Sequence, residues 1–222
     1  MKHELQRKLD ETLLYATSAL EQSQFATRLN NYQFWCFFDD FHNPYWAMSN
    51  YQTNGNCFDI QVFKLKDTFD GLNLGNAVAE CNCVVEEQNG KKYCYIDLLW
   101  VKDKACQGKG LGTTMLNMVQ LISAKNNMSE LGGCMKAFTQ NSTPAELREF
   151  YLKKGFRATP HKCNNGKTAT LRKEISKEET EKLENSVLLL EGYGIPFYAL
   201  TTPELKPVYL ETQQNYCPTL TK

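Results

Sequence analysis

The stretch from Tyr93 to Thr113 constrains the rest of the chain more than any other. It opens with YCYIDLLWV, an apolar run of strand length rich in aromatic and branched residues, and passes through KDKAC to QGKGLGT. Leu111, Met115, Met118 and Ile122 then recur at helical spacing, so the glycine-rich turn opens directly into a helix. A strand that feeds such a turn and then a helix presents bare backbone N–H groups to phosphate oxygens. No Ser, Thr, Asp or Asn stands where it would cap the start of that helix, so its leading N–H groups need a partner from elsewhere.

The glycine spacing narrows what that partner is. No G-x-x-x-x-G-K-S/T string occurs, which removes a P-loop, and G-x-G-x-x-G fails because Thr113 stands at its last position. The pattern that fits is Q/R-x-x-G-x-G/A, filled by Gln107, Gly110 and Gly112. The expected ligand is the pyrophosphate of a nucleotide-like cofactor.

With 222 residues, 42% of them hydrophobic, the chain has material for one packed core and an appended segment. Equal numbers of acidic and basic residues argue against a nucleic-acid surface as the main business. The longest apolar runs, FWCFF and VLLL, are too short to cross a bilayer, and the charged helical pattern after Met1 is unlike a secretory leader. The expectation is a cytoplasmic protein without a membrane partner, its nine cysteines kept as thiols. No C-x-x-C pair occurs, and Cys81, Cys83 and Cys94 read as core thiols rather than metal ligands.

Along the chain, Leu5, Leu9, Leu13, Ala16 and Leu20 make one stripe of an amphipathic helix over residues 2 to about 27. Residues 32–51 hold an aromatic cluster that includes Trp35, Trp46 and six other rings besides Tyr51, with Asp39 and Asp40 among them. Two readings stand: a core patch, or the wall of an acceptor pocket formed by Trp35 and Asp40. Strands follow from Cys57 and from about Ala77, with a hairpin turn at Asn89-Gly90. Strict alternation in the next strand puts Asp97, Leu99 and Val101 on one face and Ile96, Leu98 and Trp100 on the other. After a strand near Cys134–Thr139, Thr143, Pro144 and Glu146 spell a capping box for a helix that Gly155 ends. Further strands start at Phe156 and Thr168, and Ser176 caps a helix reaching about Leu190. The glycines and prolines beyond it read as an extended arm, a candidate homodimer contact. Residues 1–55, 56–175 and 176–222 thus form an N-terminal segment, a core and a C-terminal helix with arm. The fold class is α/β (α+β), a mixed, mostly antiparallel central sheet with helices on both faces.

Over residues 57–175 the chain resembles the GNAT superfamily of acyl-CoA-dependent N-acyltransferases. The likeness rests on YIDLLWV, on QGKGLG, and on FYLKKGF preceded by Asn141. It departs in having Gln at 107 where Arg is commoner, and in longer links before Gln107 and after Asn141. The resemblance implies acetyl-CoA as cofactor. Main-chain groups of Leu99, Trp100 and Val101 would pair with the pantetheine arm, and N–H groups of Gln107, Gly108, Lys109, Gly110, Leu111, Gly112 and Thr113 would hold the pyrophosphate. Asn141 would bond the pantetheine arm, and Tyr151 would stand beside the thioester sulfur. Lys109 and Lys154 are either phosphate partners or ordinary solvated charges.

The implied chemistry is N-acetyl transfer to a primary amine by direct attack in a ternary complex. A lysine-like amine is protonated at neutral pH, and freeing its lone pair costs about 4.6 kcal/mol at pH 7. Asp97 is the candidate base, with Glu80 as the alternative and as an acceptor-side carboxylate; Tyr151 is the candidate acid, and the Val101 N–H the oxyanion donor. The acceptor is expected to be a small-molecule or peptide amine. The alternative is a catalytically silent module with the same fold that binds CoA or a protein.

Overall fold

The alternation read between Cys57 and Val101 becomes three antiparallel strands at the middle of a ten-stranded sheet. The computed structural model describes residues 2–21, 31–50, 56–64, 77–136, 143–161, 168–192 and 195–216. In chain order the elements are α1 (Lys2–Glu21), β1 (Gln33–Phe38), β2 (Pro44–Ser49), β3 (Cys57–Lys64), β4 (Ala79–Gln88) and β5 (Lys91–Val101). After a 3₁₀ turn at Lys104–Cys106 come α2 (Leu111–Lys125), β6 (Met128–Lys136), α3 (Pro144–Lys153), β7 (Arg157–Pro160) and β8 (Thr168–Glu174). The chain closes with α4 (Lys177–Glu184), β9 (Val187–Gly192), β10 (Ile195–Leu200) and α5 (Lys206–Tyr216).

The sheet order is β7-β8-β6-β5-β4-β3-β2-β1-β10-β9. Among the described residues only β1 with β10 and β5 with β6 pair in parallel, so the sheet is mixed and mostly antiparallel, as expected. Helices cover both faces. Alternate residues of β1 divide between two cores: Trp35 and Phe37 go to the side of α2, and Phe34, Cys36 and Phe38 to the side of α1 and α5. Leu5, Leu9, Leu13, Ala16 and Leu20 of α1 are all buried in the second core. Asn89 and Gly90 both take positive φ in the two-residue β4–β5 turn, the backbone a tight hairpin needs.

Two expectations are corrected. The helix from Ser176 stops at Glu184, and the described chain beyond it is no extended arm. It re-enters the sheet as β9 and β10, with Phe197 paired to Phe34 of β1, and Phe197, Ala199, Val208 and Tyr209 are buried in the chain's own core. Those side chains are spent within the protomer, which removes the free arm on which a homodimer contact was drawn. The sheet also runs unbroken across both boundaries set from sequence, after residues 55 and 175.

The capping box at α3 forms as read: Glu146 N donates to Thr143 Oγ1 (3.2 Å) and Thr143 N to Glu146 Oε2 (2.8 Å). Thr143→Ala is expected to lower stability by about 1 kcal/mol, measurable as a shift in the urea midpoint at unchanged slope.

Candidate active site

Where β5 begins, it lies between β4 and β6. Its parallel pairing with β6 runs from Lys92–Met128 to Ile96–Gly133 and stops there, while β6 stays with β8 through Lys136. From Asp97 to Val101, β5 keeps β4 as its strand neighbour, and among the described residues no strand borders its other edge. At the same point β5 carries a bulge: Ile96 faces Cys83 and Leu98 faces Asn82, which leaves Asp97 as the extra residue. The bulge corrects the alternation read from sequence. Ile96 sides with Leu99 and Val101 against the α2 core, and Asp97 is exposed. The open stretch holds the main chain of Leu99, Trp100 and Val101.

The open edge leads into the glycine turn. Asp103 Oδ1 accepts from Ala105 N (2.9 Å) and caps the 3₁₀ turn, while Lys64 Nζ bonds Asp103 Oδ2 (2.7 Å). Lys64 first, then the Ala105 N–H, hold the Asp103 carboxyl below its usual range. Gln107 donates its N–H to Lys104 O (3.2 Å) and its side-chain amide to Val101 O (3.0 Å). It therefore ties the turn to β5, and its N–H is not free for an anion; that part of the expected phosphate set is corrected. Gly108 and Gly110 take φ of 72° and 86°, and Gly110 is the N-cap of α2 with no side-chain cap. Thr114 is the first helical residue whose N–H reaches a carbonyl, that of Gly110 at 3.0 Å. The N–H groups of Leu111, Gly112 and Thr113 precede it and point out of the helix end, where the macrodipole favours an anion.

The β1–β2 turn braces this loop. Asp39 accepts from the N–H groups of Phe41 (2.9 Å) and Asn43 (2.8 Å), and Tyr45 Oη donates to Asp39 Oδ2 (3.3 Å) and lies 3.5 Å from Cys106 Sγ. Asp40 N donates to Lys109 O (3.2 Å), and the Asp40 carboxylate lies 2.7 Å from where a Cβ on Gly110 would stand. Asp40 thus sits at the glycine turn rather than on an acceptor wall. The Lys109 ammonium lies over the Phe41 ring, 5.8 Å from its centroid.

Tyr151 is buried on α3, its ring edge-on to Phe150 and Phe156 at 5.1 and 5.4 Å. Burial, with the neighbouring thiols of Cys81 and Cys83 adding to it, pushes its hydroxyl well above the ordinary value. Those cysteines pair with Leu99 and Ile96 of β5, so Tyr151 stands by the point where β5 and β6 part. Phe150 meets the glycine turn, its ring 3.4 Å from a Cβ placed on Gly112. Lys154 lines a cavity of about 360 Å³ with Asn117, Gln120 and Lys173, beside the middle of α2 rather than at the glycine turn. Asn141 lies outside the described residues.

Trp35 is corrected outright. It is 1% exposed, 5.1 Å from the Tyr198 ring, and buried in the core, so it cannot touch an acceptor. Glu80 is partly exposed on β4 directly opposite Trp100 and is paired to Lys102 Nζ at 2.6 Å, a partner the sequence reading missed. Cys81 and Cys83 share a face, their sulfurs 3.7 Å apart and buried. Among the described residues no His/Cys/Asp/Glu group could hold a metal, and no helix is long and apolar enough to cross a membrane.

No protein-family model matches the sequence, and no curated protein does. Solved structures do. The PaiA N-acetyltransferase of Thermoplasma acidophilum, in complex with coenzyme A, is 18% identical with a TM-score of 0.41, over 56% of this chain and 64% of that one. Naa50 of Arabidopsis thaliana, with a CoA-containing bisubstrate analogue, is 22% identical with a TM-score of 0.38, over 52% and 71%. Ard1 of Thermoplasma volcanium is 15% identical with a TM-score of 0.37, over 54% and 71%. These are partial likenesses, confined to about half of the chain.

Proposed function

We propose that this protein is a GNAT-type N-acyltransferase that moves an acetyl group from acetyl-CoA to a primary amine by direct attack in a ternary complex. The observation that carries this reading is the parting of β5 and β6 after Ile96 and Gly133. It leaves an open strand edge that runs straight into a helix start with no side-chain cap. An extended amide-bearing arm can add to the first, and a diphosphate can take the second. The residues fit that group: the N–H groups of Leu111, Gly112 and Thr113 have no acceptor among the described residues, and the left-handed Gly110 brings the turn close without a Cβ.

When bound, acetyl-CoA supplies the activated acyl carbon and a thiolate leaving group. Main-chain groups of Leu99, Trp100 and Val101 orient the arm, with the Val101 N–H as oxyanion donor. The N–H groups of the turn, with Gly108, Lys109 and Gly110 shaping it, hold the phosphates; Asn141 is a further cofactor contact. Tyr151 donates its proton to the departing sulfur. Burial raises its pKa, so the hydroxyl is protonated through the neutral range, as an ordinary tyrosine's is. Asp97, exposed at the bulge beside the open edge, takes the amine's proton directly or through water.

The test is free-thiol release from acetyl-CoA against a panel of amines, polyamines, aminoglycosides and peptides, beside calorimetry with CoA. Absence of CoA binding sinks the proposal; CoA binding without thiol release leaves the silent binding module. Tyr151→Phe is expected to lower turnover at least about tenfold with cofactor affinity nearly unchanged, because only the hydroxyl is removed. Unchanged turnover would return Tyr151 to packing against Phe150 and Phe156.

A further inference from the structure

Glu80 and Trp100 are direct cross-strand neighbours on β4 and β5. Their flanking residues, Ala79, Cys81, Leu99 and Val101, pack into the core under α2, so both side chains stand on the opposite face. Trp100 is 40% exposed, and the Glu80 side chain keeps 18% of its surface in solvent. Between them lies an ammonium group, that of Lys102: its Nζ is 2.6 Å from Glu80 Oε2 and 5.7 Å from the centroid of the Trp100 ring. A carboxylate and an indole face converging on one point are the recognition chemistry of an alkylammonium. This pair lies on the stretch of β5 whose other edge is open.

We propose that Glu80 and Trp100 form the ammonium-receiving site for the acceptor amine, and that Lys102 fills it until an acceptor arrives. The proposal rests on the acyltransferase reading above for its substrate, and it names that substrate's class: a primary alkylamine that is cationic at neutral pH. Lys102 is suited to yield the place. It carries a strongly hydrated point charge on a flexible four-carbon stem, and its side chain keeps about a third of its surface in solvent, toward which the ammonium can turn. An acceptor ammonium makes the same two contacts, and in doing so brings its nitrogen to the face of β5 beside the open edge.

The probe is Nα-acetyl-lysine amide, whose side-chain amine is protonated near neutral pH. Its KM is read from thiol release with acetyl-CoA, and its Kd from calorimetry on the CoA-free protein. Glu80→Gln is expected to raise both constants by about tenfold while the KM for acetyl-CoA moves less than about twofold. Lys102→Met is expected to lower both amide constants several-fold, because the resident competitor has gone. Opposite signs from the two partners of one salt bridge are the signature, since a purely structural pair loses the same contact whichever side is changed. Amide constants that ignore both substitutions, or that rise in both, overturn the proposal. So does failure of the amide to bind either the wild type or Lys102→Met. If the amide Kd follows the expected signs while CoA gives no calorimetric signal, the ammonium site stands and the acyltransferase reading falls. If CoA binds and the amide constants do not respond, the ammonium site falls alone.

Discussion

Trp35→Ala is expected to lower the stability of the protein by about 3–5 kcal/mol, enough to bring an ordinary domain close to unfolding. Trp35 is fully buried in β1, which lies between β2 and β10 inside the sheet, and its ring meets that of Tyr198 at 5.1 Å. Truncation leaves a cavity among residues held by strands on both sides, where collapse is limited. Trp35→Phe is expected to cost far less. The indole N–H has no hydrogen-bond partner among the described residues, so the smaller ring loses volume but no bond. Urea unfolding of both variants, with amine and acetyl-CoA KM values on the folded fraction, checks this. Retained stability in Trp35→Ala with a selective rise in amine KM would put this ring back on an acceptor wall.

The same two strands show where the sequence ceased to be legible. β1 and β2 are buried on both faces, so QFWCFF and PYWAMS read as an undivided aromatic run with no period to betray a strand. β9 and β10 were obscured differently. Gly192, Gly194 and Pro196 punctuate the segment as a loop does, yet β10 finds its partner in β1, near the other end of the chain. No local rule reports a pairing of that range. Local chemistry, by contrast, was legible wherever it was sufficient. Thr143, Pro144 and Glu146 wrote a helix start that formed as spelled, and the β4–β5 turn followed from Asn89-Gly90.

The candidate site falls between these cases. The glycine turn could be read because its backbone needs are local, and Gly110 carries both the positive φ and the missing cap. The bulge at Asp97 could not be read, since one extra residue between Cys83 and Asn82 leaves no mark on composition. It reverses the face of every residue before it relative to those after it, which is why strict alternation sets Ile96 apart from Leu99. The contacts of Lys102 and Asp40 leave no local mark for a related reason. One reaches back over Trp100 to β4 and the other forward from the β1–β2 turn, and both pairings exist only once the sheet is assembled.

Gly110→Val is expected to weaken CoA binding by at least about a hundredfold while the sheet and its cores stay folded. Two separate effects act at this position. A φ of 86° is strained for a β-branched residue, at a cost of roughly 1–3 kcal/mol. The added Cβ would also stand 2.7 Å from Asp40 Oδ1 and 2.9 Å from its Cγ, so the turn or the carboxylate must shift. Either response moves the N–H groups of Leu111, Gly112 and Thr113 away from a common focus. Gly112→Ala provides the contrast: its φ is not in the left-handed region, and its Cβ meets only the Phe150 ring at 3.4 Å, so CoA affinity should fall by a few-fold at most. Gly110→Val with Asp40→Ala separates the two effects, because the collision is gone and the strain remains. Binding that stays lost in the double variant assigns the phosphate seat to the left-handed backbone; binding that returns assigns the loss to the Asp40 collision. Calorimetry with CoA on the three proteins, with circular dichroism to confirm the fold, decides it. Near-wild-type affinity in Gly110→Val itself would mean that the turn does not hold the pyrophosphate at all.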